Sequence, residues 1–211
     1  MKFRLLCFLF LTNVVATTSA QSFTAVKDEA AMRKKIAEIG RTTASIKANF
    51  VQEKNLTMLS EKIISKGTFL FEKENKVRLE YRQPFKYLLV INDGKILIKD
   101  DAKSTQMDMH KNKIFQEVNN IIISCVNGSA MSSTNFEVKM LESDSQLKLE
   151  MKPITKGLKE FFSNICIIID KSDYSVARIE MNEVSGDNTI INFSNKELNG
   201  KIDEKLFSVS K

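Results

Sequence analysis

Residues 65–99 read SKGTFLFEKENKVRLEYRQPFKYLLVINDGKILIK. Phe69 and Phe71 share one parity, and so do Val77, Leu79 and Tyr81, whereas Arg78, Glu80 and Arg82 take the other. Successive side chains of a strand point to opposite faces, so the alternation predicts strands with one oily and one wet side. Asn92-Asp93-Gly94 stands between Tyr87–Ile91 and Lys95–Lys99. Residues that accept positive φ at that place predict a tight hairpin. Pro84 has no N–H to give to a ladder and marks a strand edge or corner. The stretch is an antiparallel sheet with one dry face, and some other element has to cover that face.

The same parity extends in both directions. Upstream, Ile46, Ala48 and Phe50 alternate with Lys47 and Asn49, and Ile63 leads into the Phe69 strand. A short run at Thr105, Met107 and Met109 follows the hairpin. Beyond Ser132 come Phe136, Val138 and Met140, then Leu147, Leu149 and Met151, then Ile165, Ile167 and Ile169. Ala177, Ile179 and Met181 precede a Ser185-Gly186-Asp187 turn, and Ile191 and Phe193 close the series, with Leu206 and Phe207 in a last short segment.

Two stretches keep a helical period instead. Asp28 is placed to cap a helix to about Gly40, with Met32, Ile36 and Ile39 on one face. In mid-chain, Ile114, Phe115, Val118, Ile121, Ile122, Cys125 and Val126 recur at three and four, and Gly128 is a natural stop. No βαβ rhythm and no internal repeat is present. The fold class predicted is mainly β with α: an incomplete, half-closed antiparallel β-barrel covered by a helical lid or plug.

The first 20 residues carry a removable address: Lys2 and Arg4, an apolar run from Leu5 to Leu11, and small residues Thr18-Ser19-Ala20 before Gln21. That run is shorter than the roughly 20 residues a bilayer span needs. A cleaved signal peptide over 1–20 and a single domain over 21–211 are expected, with export to the periplasm. Cleavage removes Lys2 and Arg4 and lowers the formal net charge of +6 by two. The remaining basic residues are interleaved with acids, without the block or aromatic signature of a nucleic-acid binder.

Little in the chain points to catalysis. His110 is the single histidine, between Met109 and Lys111, and reads as a surface residue. No CxxC or HxxxH spacing, GxSxG, P-loop or GxGxxG turn is present. No metal, no cofactor and no enzymatic activity are expected; a lipid hydrolase dependent on His110 is the rival reading. Cys125 and Cys166 lie in apolar runs, and the sequence leaves open whether they form a disulfide.

From Ser45 to Val209 the order of motifs resembles the periplasmic outer-membrane lipoprotein carrier LolA, especially its Bacteroidetes-type relatives. The matching pieces are Ala48-Asn49-Phe50-Val51-Gln52, Gly67-Thr68-Phe69-Leu70-Phe71, Val77-Arg78-Leu79-Glu80-Tyr81 with Pro84, and Ile91-Asn92-Asp93-Gly94-Lys95. Ser185-Gly186-Asp187-Asn188-Thr189, Ile191-Asn192-Phe193-Ser194-Asn195 and Leu206-Phe207 continue the match. The resemblance implies a half-barrel that shields lipoprotein acyl chains between an inner-membrane release transporter and an outer-membrane acceptor.

Residue by residue, it implies a lipid cavity walled by Val77, Leu79 and Tyr81, to which strand parity adds Phe50, Phe69 and Phe71. The lid would run near Ile114 to Val126, with Ile114, Phe115, Val118 and Ile122 on its apolar face, and Phe161 and Phe162 opposite. The family's better-studied members carry Arg-Pro at the turn after the Gly67 strand, the Arg tied to the lid, where this chain has Lys73-Glu74. Lysine is a compact point charge without the guanidinium's five-donor fork, so Lys73 is a gate of different geometry. Arg78 and Arg82 share the wet parity and read as surface charges.

The expected function is thus a monomeric carrier of acylated lipoproteins. The alternative is a carrier or sensor of another hydrophobic envelope ligand on the same fold, such as a glycolipid, a pigment lipid or a mislocalised lipoprotein.

Overall fold

The structure is a computed structural model that describes residues 22–73, 75–111, 113–129 and 134–210, with backbone alone at 113–115, 117 and 118. Its strands are β1 (Thr24–Ala25), β2 (Ser45–Leu56), β3 (Glu61–Glu72), β4 (Lys76–Gln83), β5 (Tyr87–Asn92), β6 (Lys95–Asp100), β7 (Ser104–Asp108), β8 (Phe136–Glu142), β9 (Gln146–Pro153), β10 (Phe162–Asp170), β11 (Val176–Glu183) and β12 (Asn188–Leu198). The helices are α1 (Glu29–Thr42), α2 (Lys113–Asn127) and the single turn α3 (Lys156–Lys159).

All twelve strands belong to one sheet in the order β1-β8-β9-β10-β11-β12-β2-β3-β4-β5-β6-β7. Every pairing is antiparallel, and the end strands β1 and β7 do not meet, so the sheet is a barrel left open. The half-closed barrel with helices on its concave side agrees with the sequence reading.

Local chemistry sets the elements. Asp28 caps α1, its Oδ1 accepting from the Ala31 N–H at 2.9 Å, and Glu29 with Arg33 forms an i,i+4 pair on the exposed side. Asp93 (φ 48°) and Gly94 (φ 68°) make the β5–β6 turn, as the Asn-Asp-Gly signature requires. Phe50 and Gly67 face each other across β2 and β3, and the Phe50 ring lies where a Gly67 side chain would stand. Met109, expected at the end of a strand, instead opens a 3-10 turn over Met109–Lys111, because β7 stops where Asp108 turns back to accept the His110 N–H.

Three apolar clusters hold the molecule. One joins β8–β11 to α1 and α2, around Ile36, Ile121, Leu147, Leu149, Ile165 and Ile167. A second joins β2–β6, around Phe50, Phe69, Phe71, Val77, Leu89, Ile91 and Ile96, with Ile122, Ile123 and Val126 of α2 against it. Helix α2 thus straddles both, Ile121 in one and Ile122 against the other, and Phe193 of β12 touches both. Each fully buried Leu, Ile, Val or Phe contributes about 1.5–3 kcal/mol, so each half carries a core of its own.

The third cluster lies on the face that strand parity assigned to water. Leu70, Val90 and Leu97 are buried there under Phe207, with Leu88, Ile202 and Val209 beside them. The C-terminal segment crosses this outer face and is held by Arg78, whose guanidinium donates to the Leu206 carbonyl at 3.0 Å, and by Asn92, whose amide donates to the Phe207 carbonyl at 3.0 Å. Arg78 is therefore a covered clamp rather than the open surface charge its parity suggested, whereas Arg82 is exposed.

The two helices approach each other through glycine. A side chain at Gly40 would fall on the backbone of Asn127, and one at Gly128 on the backbone of Ile36. Only a residue without Cβ lets the end of α1 lie against the end of α2. That contact fixes the helices as one roof over the concave face.

Candidate ligand-binding site

Between the two inner clusters the packing is incomplete. A cavity of about 100 Å³ lies under the helices, along the seam at β12. Its floor is Ile46 and Ala48 of β2, Phe69 of β3, Leu79 of β4, Ile179 of β11, and Ile191 and Phe193 of β12. Its roof is Ile36 and Ile39 of α1 and Ile122, Cys125 and Val126 of α2. Polar groups are confined to a rim of Thr43, Asp173, Ser175 and Lys196. Apart from that rim the lining is apolar, and the space opens towards the rim.

The rim is a latch between separate elements. Lys196 of β12 pairs with Asp173 of the β10–β11 turn at 3.4 Å, and Lys35 of α1 sits 5.7 Å from the centre of the Tyr174 ring. Tyr174 is held at φ 55°, a left-handed backbone uncommon for an aromatic residue, with its N–H on the Asp170 carbonyl at 2.7 Å. At the same end Lys73 donates from Nζ to the Arg41 carbonyl in the last turn of α1, and its backbone N–H bonds to the Ala44 carbonyl. Lysine at a helix C-terminus also complements the helix dipole. The β3–β4 turn is thereby tied to α1 through a single charge.

The sequence-predicted wall residues divide into two groups. Phe69 and Leu79 line the cavity. Phe50, Phe71 and Val77 are sealed in the second cluster instead. Tyr81 packs edge-on against Phe50 (4.9 Å) and Tyr87 (5.7 Å) and donates its hydroxyl to Gln52 at 2.9 Å, and burial pushes that hydroxyl up to about 12. It closes the core towards the far end of the sheet rather than facing the void.

Of the predicted lid face, Ile122 lines the cavity; the side chains of Ile114, Phe115 and Val118 lie outside the described residues, as does Glu74. Phe161 and Phe162 are not brought to the cavity: they stand at the start of β10, at the other end of the sheet from Tyr174. Phe161 is exposed and Phe162 packs against the first cluster.

Sequence reading missed the contributions of Tyr174, Ile191 and Phe193, whereas the apolar stripe of α1 is legible as a second candidate cover for the dry face. The parity of Ile191 and Phe193 and the i,i+3 spacing of Ile36 and Ile39 were visible, but nothing in them tells a wall from a core. Cys125, on the roof, and Cys166, on β10, are both free thiols. Burial pushes the Cys125 thiol up to about 12, so it is unreactive at neutral pH. His110 is exposed in the turn beside Gly94, and among the described residues no group of acidic, His and Cys side chains is arranged to hold a metal.

Asn119 of α2 is 4% exposed, and among the described residues its Oδ1 finds no hydrogen-bond donor. A buried unsatisfied acceptor costs about 1–3 kcal/mol, so the closed roof carries a built-in penalty. Asn119→Leu, of similar size, is expected to raise stability by about 1 kcal/mol and to weaken ligand uptake, because the closed state gains. Urea denaturation and fatty-acid titration of the same variant check both; tighter uptake would contradict the assignment.

A family model described as outer membrane lipoprotein carrier protein LolA matches residues 41–210. The chain belongs to that family. Among solved structures it is similar to an uncharacterised conserved protein from Thermus thermophilus, at TM-score 0.50 and 9% identity over 87% of this chain and 96% of the other. It is also similar to the LolA superfamily protein NE2245 from Nitrosomonas europaea (TM-score 0.46, 11% identity, 84% and 96% covered). A third is the Mycobacterium tuberculosis lipoprotein LppX (TM-score 0.46, 9% identity, 82% and 96% covered). At such identities the likeness is one of fold. No curated protein matches by sequence.

Membership makes this chain one of a family of outer-membrane lipoprotein carriers, which is not an enzyme family. The matched range includes the whole cavity floor and the α2 part of the roof, while Ile36 and Ile39 of α1 precede it. No helix among the described residues is long and apolar enough to cross a membrane.

Proposed function

We propose that the protein is a periplasmic carrier that takes up the acyl chains of lipoproteins beneath α1 and α2 and shuttles them from the inner to the outer membrane. The proposal includes an exported chain whose residues 1–20 are a cleaved signal peptide, an inner-membrane transporter that loads it and an outer-membrane acceptor that unloads it. The observation that supports this reading best is the apolar cavity on the seam between the two inner clusters, roofed by α1 and α2. The roof is anchored in the first cluster by Ile36 and Ile121 and only rests on the second through Ile122, Ile123 and Val126, so it is the second cluster from which it lifts at least cost.

In this reading the roof moves to admit a whole acyl chain to a cavity of about 100 Å³. Each methylene removed from water is worth about 0.8 kcal/mol, so about ten of them supply roughly 8 kcal/mol of gross driving force. Part of it is spent in separating α2 from Phe69 and Leu79 and in breaking the Asp173–Lys196 latch. A ligand shifts such an equilibrium only by its differential affinity, and in the closed state the roof itself covers the apolar floor. Release then needs no chemistry, since closing the roof restores its own contacts.

The test is purification from the periplasm of an exporting host, followed by solvent extraction and mass spectrometry. Acylated lipoprotein or its lipid fragment is the expected yield. Protein recovered free of any lipid, which also takes up no fluorescent fatty acid, would overturn the carrier reading.

A further inference from the structure

The exposed apolar side chains of this molecule are not scattered. Hairpin connections of an antiparallel sheet alternate between its two ends, and those after β2, β4, β9 and β11 share one end. The register shows it: Asn55 pairs with Asn188, so the β11–β12 turn lies beside the β2–β3 tip, where Thr57 donates from its hydroxyl to the Gly186 carbonyl at 2.6 Å. The Val184 N–H in turn bonds to the Phe161 carbonyl at 3.0 Å, and Gln83 pairs with Lys66 just below the β4–β5 tip.

Met58, Leu59, Phe85, Ile154, Phe161 and Val184 project from these connections, Met58 93% and Phe85 77% exposed. Ile63 and Ile64, also exposed, lie in β3 close to its tip. At the other end, the described residues of the turns at 73–75, 93–94, 143–145 and 171–175 include no large exposed apolar side chain. Such polarity along one axis is not needed for the core, since none of the six belongs to an apolar cluster.

We propose that this end of the sheet docks on the surface of an anionic phospholipid bilayer. Two features select that occupant. The first is charge: Arg82 and Lys86 flank Phe85, and Lys152, Lys156 and Lys159 flank Ile154 and Phe161, against one acid, Glu160, in the same two connections. Among the described residues Lys86, Lys152, Lys156 and Lys159 enter no ion pair. The neighbouring tips are balanced, by Lys62 with Glu53 at 2.6 Å and Lys54 with Glu183 at 3.0 Å, while Glu61, Asp100, Asp101, Lys103 and Asp187, whose Oδ1 accepts from the Thr57 N–H, also lie at this end.

The second feature is shape. The apolar groups sit singly or in pairs on four connections, three of which are joined by the Thr57–Gly186 and Val184–Phe161 hydrogen bonds. A fluid headgroup layer adapts to such an uneven end, the apolar tips entering it and the lysines meeting lipid phosphates. The surface goes beyond the carrier reading, because it stands at the opposite end from the Asp173–Lys196 rim and includes no cavity residue.

The experiment is co-sedimentation of the periplasmically purified protein with mixed phosphatidylethanolamine–phosphatidylglycerol vesicles in low salt, beside titration with a fluorescent fatty acid. The unaltered protein is expected to sediment with the vesicles. Leu59→Ser with Phe85→Ser should lower vesicle binding at least about tenfold while fatty-acid uptake stays unchanged. Lys156→Gln with Lys159→Gln should weaken binding to the anionic vesicles and reduce its salt dependence.

Absence of vesicle binding by the unaltered protein would overturn the proposal even if fatty acid is taken up, and so would binding indifferent to the tip or lysine substitutions. Self-association at the same concentration, abolished by the tip substitutions in sedimentation velocity, would assign the surface to a second copy instead and overturn it equally. Loss of fatty-acid uptake with vesicle binding intact would count against the carrier reading alone.

Discussion

Ala48→Phe is expected to lower the affinity for a fluorescent fatty acid at least about tenfold, or about 1.4 kcal/mol, while the protein stays folded. Ala48 is 2% exposed, opposes Phe69 across β2 and β3, and presents its methyl to the cavity floor. A phenyl ring at that position occupies the void of about 100 Å³ instead of displacing its walls. Inserting a ring into a filled core costs about 1–3 kcal/mol, so a urea midpoint near that of the unaltered protein reports that the hole received it. A variant that is folded and binds as before would remove the cavity from consideration as the ligand site.

Phe207→Ala is expected to cost about 3–5 kcal/mol in urea denaturation, the largest stability loss of any exchange considered for the tail. The ring is fully buried on the outer face of the sheet, over Leu70, Val90 and Leu97. Its removal opens a hole that cannot collapse, because the tail is pinned on both sides by the Arg78–Leu206 and Asn92–Phe207 hydrogen bonds. Fatty-acid binding by the remaining folded fraction should be unchanged, since the cavity is on the opposite face. A loss of less than about 1 kcal/mol would mean that the third cluster is not an independent core.

These two positions show what periodicity carries and what it does not. Most of the strands, the Asp28 cap, the Asp93-Gly94 turn and the span of α2 follow from local pattern, and the structure has them. The parity of Phe50, Phe69, Phe71, Val77, Leu79 and Tyr81 placed them on the inner face correctly. It gave no means to separate Phe69 and Leu79, on the void, from Phe50, Phe71 and Val77, in solid packing, because both groups satisfy the same alternation.

The outer face failed for a different reason. Leu70, Val90 and Leu97 break the wet parity, and that mismatch was the readable sign that something covers them. The cover is Phe207, more than one hundred residues away from each, a distance over which no local rule operates. Tyr174 is similar: its place on the rim depends on a left-handed turn and on Lys35 arriving from α1. The exposed tips were visible as letters, yet their common end emerges only from the sheet register.

The pairing of β12 with β2 has a consequence for how the chain acquires its shape. Strands β2–β7 form one hairpin series and β8–β12 another, each made of neighbours in sequence. The two series join only where Asn188 meets Asn55 and Phe193 meets Phe50, contacts that link the first strands of the chain to its last fifth. Long-range closures of this kind raise contact order and slow folding. The seam, and with it the cavity, needs residues from both ends of the chain, so its closure carries the largest loop-entropy cost of any pairing in the sheet.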